Sequence, residues 1–117
     1  MKPLKGIRVL DFSTLLPGPL ATLMLVDAGA EVIKIEKIGG EDLRKSEPFL
    51  KGNSVLFSLL NRGKKSIEID LKNKENKIKI LQLIKKSDVL VEQFRPGVMK
   101  RLGLDWNTLK KINKKLV

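Results

Sequence analysis

The chain has 117 residues, of which 42% are hydrophobic and 32% charged, so it has enough apolar side chains to fold as one domain and too many for a disordered tail. Lys and Arg outnumber Asp and Glu by 24 to 13, and the net charge of +11 predicts a salt-sensitive attraction to polyanions. The absence of cysteine and histidine excludes disulfides, thiolate nucleophiles, cysteine metal ligands and Ser-His or Cys-His catalytic pairs.

The N-terminal third predicts a strand, a helix and a second strand. Ile7 to Phe12 reads IRVLDF, a β-rich run bounded by turn residues. After Pro17 to Pro19, the run LATLMLVDAGA has helical spacing and is expected to stop at Gly29. Glu31 to Glu36, EVIKIE, predicts a strand that alternates near its end. Together these elements predict one right-handed crossover unit.

The middle of the chain predicts a loop, then helical turns, a third strand and a helix. Residues 37–54 carry glycines and Pro48 without periodicity and are expected to form a long surface loop. Residues 55–61 suit one or two helical turns, and residues 66–71 alternate as a strand. Residues 74–86 predict an amphipathic helix. The residues expected on its apolar side are Ile78, Ile80, Leu81 and Ile84.

The C-terminal part predicts a fourth strand and two short helices. DVLVE, residues 88–92, is expected to be a buried strand, with helices at 98–102 and 105–113. Leu116 and Val117 are expected to begin a fifth strand. Strands that alternate with helices predict an α/β fold with a Rossmann-like parallel sheet and flanking helices. We expect residues 1–117 to form a single domain.

The longest apolar stretch does not predict a membrane span. Leu15 to Val26 is shorter than the ~20 apolar residues that a span needs, and Pro17 and Pro19 interrupt it. The N-terminus has no apolar segment followed by a small-residue cleavage site. We therefore expect a cytoplasmic protein.

The turn after the first strand argues against a dinucleotide cofactor. Dinucleotide-binding folds place G-x-G-x-x-G at this turn so that the backbone can approach a pyrophosphate. Here the turn reads STLLPGPLAT, with Gly18 alone between two prolines. NAD or FAD binding is therefore not expected, and no tightly bound cofactor or metal site is predicted.

Four blocks in order resemble one family. They read GIRVLDFSTLLPGPLAT, DAGAEVIKIEKIGGEDLR, NRGKKSIEIDLK and SDVLVEQFRPGVMKRLGL. In this order they resemble the N-terminal part of family III (CaiB/BaiF-type) acyl-CoA transferases, from Leu4 to Val117. The resemblance implies an N-terminal coenzyme-A-binding domain, with acyl-CoA and a carboxylic acid as the molecules acted on. It also implies two-domain chains that interlock as homodimers.

The resemblance implies roles for five residues in the first three blocks. Leu15 and Leu16 would flank the thioester end of the coenzyme. Lys37 and Lys72 would meet its phosphates, a role that suits cationic side chains. Ile69 would line the adenine pocket. On composition alone, each of these residues would be read as ordinary core or solvated surface.

The fourth block is expected to complete the coenzyme site with Gln93, Phe94, Arg101 and Leu102. Gln93 stands where many relatives carry asparagine, and it keeps an amide donor and acceptor on a longer arm. Arg44, in GGEDLR, suits either a phosphate contact or solvent, and the sequence does not decide between them.

No catalytic residue is expected within the chain. The resemblance places the nucleophilic aspartate downstream of the strand that would begin at Leu116. Asp11, Asp70 and Asp88 adjoin predicted strands and are expected to be caps or solvated turn residues. The chain alone is therefore expected to bind coenzyme A or acyl-CoA and not to transfer it.

Three other functions fit the sequence. The LLPGP turn also resembles α-methylacyl-CoA racemases, which move a proton at the acyl α-carbon. A noncatalytic protein could bind acyl-CoA or a longer subunit through the same surface. Charge alone would also support nonspecific nucleic-acid binding, although the five aromatic side chains form no basic-aromatic motif, so specific nucleic-acid recognition is not expected.

Overall fold

The computed structural model describes all 117 residues. Its strands are β1 Arg8–Asp11, β2 Glu31–Glu36, β3 Phe49–Leu50, β4 Asn53–Ser54, β5 Lys65–Glu68 and β6 Val89–Val91. Its helices are α1 Pro17–Asp27, α2 Val55–Leu60, α3 Lys74–Lys85, α4 Val98–Arg101 and α5 Trp106–Ile112. A 3-10 helix spans Asp42–Lys45.

Four strands form one parallel sheet in the order β5-β2-β1-β6. Val9 of β1 lies opposite Val32 of β2 and Val89 of β6, while Ile35 of β2 lies opposite Ile67 of β5. The chain runs outward from β1 through β2 to β5 and then crosses back to place β6 on the other side of β1. This reversal is a topological switch point, where open α/β sheets bind ligands outside the strand carboxyl ends. The predicted α/β class with a parallel sheet and flanking helices is confirmed.

Helices cover both faces of the sheet. Val9 packs with Leu25 of α1 on one face. Leu10 packs with Ile84 of α3 and Leu109 of α5 on the other. Successive strand residues point to opposite faces, which is why Val9 and Leu10 belong to different apolar clusters. Burial on both faces is typical of parallel sheets.

Local signals set the helix boundaries. α1 begins at Pro17, a residue tolerated in the first turn, and stops before Gly29, whose φ of +101° favours glycine. α3 begins after Asn73, whose side-chain oxygen accepts a hydrogen bond from the backbone nitrogen of Asn76 at 3.1 Å. None of the helices is both long and apolar enough to pass through a bilayer.

The segment 37–54, predicted as an irregular loop, contains three short elements. Besides the 3-10 helix, β3 and β4 form a small antiparallel hairpin in which Phe49 lies opposite Ser54. Ser54 then caps α2, because its hydroxyl oxygen accepts from the backbone nitrogen of Phe57 at 3.3 Å. Elements of two to four residues are too short to show a period in the sequence.

Side-chain exposure differs from the prediction in β6, which is half-buried and not buried, and in β2 and α3. β2 does not alternate near its end, because Lys34 and Glu36 are as buried as their apolar neighbours. Ile78, expected on the apolar side of α3, is 57% exposed. It lies two residues before buried Ile80, and two residues on a helix are roughly 200° apart.

The last residue of the chain already pairs with the sheet. The structure has no strand at Leu116 and Val117, where a fifth strand was expected to begin. However, the backbone nitrogen of Val117 donates to the carbonyl of Asp88 at 3.0 Å, and the nitrogen of Leu90 donates to the carbonyl of Val117 at 2.9 Å. This is the pattern of a parallel ladder on the free edge of β6.

Candidate functional site

A cavity of about 420 Å³ opens at the carboxyl ends of the four parallel strands. Most of its walls come from the segments that follow each strand: Thr14 and Leu15 after β1, residues 37, 38, 41 and 42 after β2, residues 69–72 after β5, and Phe94 after β6. Eight of its 15 lining residues are hydrophobic. Both its place in the sheet and its mixed lining are typical of small-molecule sites.

The cavity brings together six of the nine residues predicted to contact coenzyme A. They are Leu15, Lys37, Ile69, Lys72, Phe94 and Leu102. Ile69 belongs to the buried core, and Phe94 and Leu102 pack against that core while facing the cavity. The resemblance therefore selected residues that are far apart in the chain but adjacent in space. Their contact with the coenzyme stays a prediction.

The other three predicted residues lie outside the cavity lining. Gln93 holds the turn after β1: its Oε1 accepts from the nitrogen of Gly18 at 2.8 Å, and its Nε2 donates to the carbonyl of Thr14 at 2.6 Å. Leu16 precedes the first residue of α1 and is 57% exposed. Arg101 is the last residue of α4 and is exposed.

The two lysines predicted to bind phosphate differ in whether another side chain already pairs with them. The ammonium of Lys37 donates to Oδ1 of Asp42 at 2.7 Å, and this hydrogen bond lowers the pKa of Asp42. Both side chains are largely exposed, so a ligand phosphate can compete for Lys37. Lys72 is exposed and forms no ion pair. The cations therefore stand at the rim, around a cavity floor that is partly apolar.

A buried carboxylate, Glu36, lies at the base of the cavity. Arg44 donates to it through Nε and Nη2, both at 2.7 Å. Burial raises the pKa of Glu36, but hydrogen bonds from Arg44, Ser66 and the backbone nitrogen of Glu41 outweigh that effect and lower the pKa to about 2. The guanidinium of Arg44 also lies 3.9 Å from the ring centre of Phe57. Arg44, which the sequence left undecided, is thus engaged in a structural contact.

Asp11 was predicted to be a cap or a solvated turn residue; it does bond to the turn after β1, but it is buried and not solvated. Its side chain is fully buried and accepts from the backbone nitrogen of Ser13 at 2.9 Å and from Oγ1 of Thr22 at 2.5 Å. The ammonium of Lys64 lies 3.1 Å away. Burial lowers the pKa of Lys64, and the charge of Asp11 opposes that shift. The sequence around Asp11 gives no indication that its partner is Lys64, 53 residues away.

A second buried ion pair joins Lys34 and Glu41. Each side chain is 1% exposed, and the Lys34 ammonium contacts Oε2 of Glu41. Lys34 also donates to the carbonyl of Ser13 at 3.0 Å, while Oε1 of Glu41 accepts from the backbone nitrogen of Leu15 at 2.7 Å. The pair therefore holds the same turn as Gln93.

Sequence reasoning missed these buried ionic residues, although one signal was present. EVIKIE places Lys34 between two isoleucines of a strand and Glu36 directly after the second of them. Charged residues inside a sheet that is covered on both faces must be paired, so their position predicts a buried network. Glu41 and Lys64 lie in connecting segments that carry no comparable signal.

The geometry favours binding of a ligand with both anionic and apolar parts. Glu36 and Glu41, at the base, are held in ion pairs. Ile69 and Phe94 offer apolar surface, and Lys37 and Lys72 offer positive charge at the rim. An apolar slot beside exposed cations suits a ring system that carries phosphates.

Three known proteins resemble the chain over nearly its whole length. It is 45% identical to an acetyl-CoA:oxalate CoA-transferase of Acetobacter aceti, covering 98% of this chain and 30% of that one. It is 46% identical to the probable fatty acyl-CoA transferase Rv3272 of Mycobacterium tuberculosis, whose crystal structure matches with a TM-score of 0.93 over 100% of this chain and 32% of that one. A CAIB/BAIF family protein of Brucella suis matches with a TM-score of 0.90 and 36% identity over 96% of this chain and 31% of that one.

The similarity is thus confined to one part of longer relatives, since the chain spans about 30% of their length. Within that part, sequence and structure agree. The family model described as CoA-transferase family III matches residues 4–117. The resemblance predicted from the four sequence blocks is therefore confirmed, and the chain belongs to CoA-transferase family III.

Proposed function

We propose that the protein containing this chain transfers coenzyme A from an acyl-CoA to a carboxylic acid, and that these residues form one wall of the coenzyme site. The observation that carries the proposal is the cavity, which gathers six of the residues expected to touch the coenzyme at the carboxyl ends of the strands. Membership of CoA-transferase family III supports the reaction class.

The relatives also indicate which part of the substrate this chain recognises. One relative is named for acetyl-CoA and oxalate and another for fatty acyl-CoA, yet the chain is 45% and 46% identical to them. Nearly equal similarity to proteins with such different acyl groups fits a segment that binds what those substrates share. We therefore assign the coenzyme, and not the acyl group, to this cavity.

The proposed reaction needs a carboxylate nucleophile, which the family resemblance places outside these residues. Its attack on the thioester would form a mixed anhydride and release the coenzyme thiolate, which would then attack the enzyme carbonyl to form an enzyme thioester and release the donor acid. The acceptor acid would attack that thioester to form a second anhydride and release the thiolate again. Attack of the thiolate on the acceptor carbonyl would yield the new acyl-CoA and restore the enzyme carboxylate. This chain would hold the coenzyme in place during those steps. Lys37 and Lys72 would bind phosphate, while Ile69 and Phe94 would pack against adenine. The chain by itself is expected to show no turnover.

The proposal also covers the protein surfaces that this chain contacts and the location of the protein in the cell. Leu16 and Met24, both more than half exposed on one side of the sheet, offer apolar surface to the rest of the protein or to a second copy. Such a partner would also close the coenzyme site, so we expect this chain alone to bind coenzyme A with modest affinity. A cysteine-free composition is compatible with a cytoplasmic location, which we include in the proposal.

Titration with coenzyme A, followed by calorimetry and by amide chemical shifts, tests the proposal. We expect shifts after the carboxyl ends of β2, β5 and β6, and up to about fivefold weaker binding in Lys72→Ala, as for one exposed charge contact. Lys79→Ala, which removes an exposed lysine of α3, is the matched control. Shifts confined to α3, or equal effects with inorganic pyrophosphate, would show that phosphates bind nonspecifically to the basic surface and that the cavity is not a coenzyme site.

A further inference from the structure

Side chains from distant parts of the chain hold the turn between β1 and α1. The backbone of Ser13 is fixed by Asp11 and Lys34, and the backbone nitrogen of Leu15 by Glu41. Gln93 fixes the carbonyl of Thr14. The turn is therefore built by tertiary contacts with β2, with the segment after β2 and with the segment after β6.

Leu15 is the strained residue of this turn. Its φ is +64°, a left-handed conformation that a leucine rarely adopts and that persists only when its surroundings enforce it. Its backbone nitrogen donates to Glu41, and both residues line the cavity. The hydrogen bond to the strained residue thus lies in the cavity wall itself.

Stability alone does not account for a buried ion pair at this place. The side chains of Lys34 and Glu41 are almost inaccessible to water, so each charge loses its hydration on folding. Well-packed apolar residues often replace such pairs without loss of stability. What apolar residues could not supply is an acceptor for the Leu15 nitrogen and a donor for the Ser13 carbonyl.

We propose that Glu41 is a positioning residue of the coenzyme site, which fixes the left-handed backbone of Leu15 and thereby the shape of the cavity wall. Lys34 compensates its charge inside the protein. The proposal rests on the function proposed above for the cavity, since it assigns Glu41 a role in shaping that site. It does not require Glu41 to touch the coenzyme.

Two double variants isolate the hydrogen bond from the ion pair. Both carry Lys34→Met, so neither leaves a buried lysine unpaired. One adds Glu41→Gln, which keeps an acceptor for the Leu15 nitrogen, and the other adds Glu41→Met, which has a similar shape and no such acceptor. Hydrogen exchange of the Leu15 amide and calorimetry with coenzyme A are measured on both variants and on the wild type.

We expect the Gln variant to keep the Leu15 amide protected, and it is the reference for the Met variant because both have lost the Lys34 donor to the Ser13 carbonyl. The Met variant should exchange about tenfold faster at Leu15 and bind about tenfold more weakly, as expected for one lost buried hydrogen bond. Adding Leu15→Gly to the Met variant should recover part of the affinity, because glycine adopts a positive φ without strain. If the Met variant does not fold, Glu41→Leu with Lys34→Met replaces it.

Two outcomes would overturn the positioning role. In one, Leu15 exchanges equally in the Gln and Met variants. In the other, the exchange rates differ while coenzyme affinities are equal, which would make the bond purely structural. A wild type that does not bind coenzyme A would refute the proposed function instead, and the exchange rates alone would then decide whether Glu41 holds Leu15.

Discussion

The ammonium nitrogen of Lys64 lies 3.1 Å from Oδ2 of Asp11, and neither side chain is more than 1% exposed. Lys64 also donates to the carbonyl of Pro19 and to Oδ1 of Asn61, both at 2.9 Å. One buried cation therefore connects the end of β1, the start of α1 and the end of α2. These contacts fix the elements that carry the turn beside the cavity.

Removal of the Lys64 charge should destabilise the fold strongly. Lys64→Met leaves the buried carboxylate of Asp11 without a cationic partner, and breaking a buried pair in this way costs about 3–5 kcal/mol. Urea denaturation measures the loss. The control is Arg62→Met, which breaks an exposed pair with Asp27 and should change stability little. Equal effects of the two substitutions would mean that the buried pair contributes no more to stability than the exposed one.

The contribution of Glu36 should depend on pH. Its pKa is about 2 in the fold, against 4.5 for the unperturbed group, so its ionised form stabilises the fold above pH 4.5. This stabilisation is lost as the pH falls from 4.5 towards 2 and amounts to at most about 3 kcal/mol. The stability difference between wild type and Glu36→Gln should therefore shrink over that window in urea titrations.

Other carboxylates also have lowered pKa values, such as Asp27 through its hydrogen bond from Arg62 and Glu31 through its hydrogen bond from Lys65, so they too make stability depend on pH. The difference between wild type and Glu36→Gln cancels their contributions. Glu75→Gln, at an exposed position of α3, serves as the control and should show no comparable pH trend. A wild-type advantage over Glu36→Gln that stays constant down to pH 2 would contradict the shifted pKa.

Arg44 should not be replaceable by lysine. Its planar guanidinium donates twice to Glu36 and stacks on Phe57, and an ammonium group can do neither in the same geometry. We expect Arg44→Lys to cost about 1–2 kcal/mol, as for loss of a bidentate charged hydrogen bond. Thermal denaturation gives the value. Lys45→Arg, at the exposed neighbour, should leave stability unchanged, and an Arg44→Lys variant as stable as wild type would show that the pairing is dispensable.

A methyl group at Gly18 should disturb the turn beside the cavity. A Cβ there would overlap the side chain of Ser13 and approach Oε1 of Gln93, which accepts from the Gly18 nitrogen. Overpacking of this kind costs about 1–3 kcal/mol. We expect Gly18→Ala to lower the unfolding midpoint and to move the NMR signals of the Gln93 side-chain amide.

Ala21→Ser, an equally small change at an exposed position of α1, is the control for Gly18→Ala. It should leave both the midpoint and the Gln93 amide signals unchanged. An unperturbed Gln93 in Gly18→Ala would show that the turn relaxes around the added methyl group without losing its side-chain contacts.

The sequence by itself determined the order of the elements and the family. Apolar runs such as IRVLDF, the stop at Gly29 and the helical spacing of Ile80 and Ile84 are local signals, and the structure bears them out. The four family blocks also selected residues such as Ile69 and Phe94, which the fold brings to one cavity. Hydrophobic periodicity and the order of the family blocks can be read from the sequence, because neither depends on which distant residues the fold brings together.

Only the tertiary structure decided which charges are buried. Asp11 looked like a turn residue and Lys34 like the polar side of an alternating strand, yet both are inaccessible to water. Their partners, Lys64 and Glu41, lie in connecting segments whose sequence gives no sign of them. A charge can be buried only where an opposite charge and hydrogen-bond donors or acceptors meet it, and that meeting depends on how the packed strands bring remote segments together.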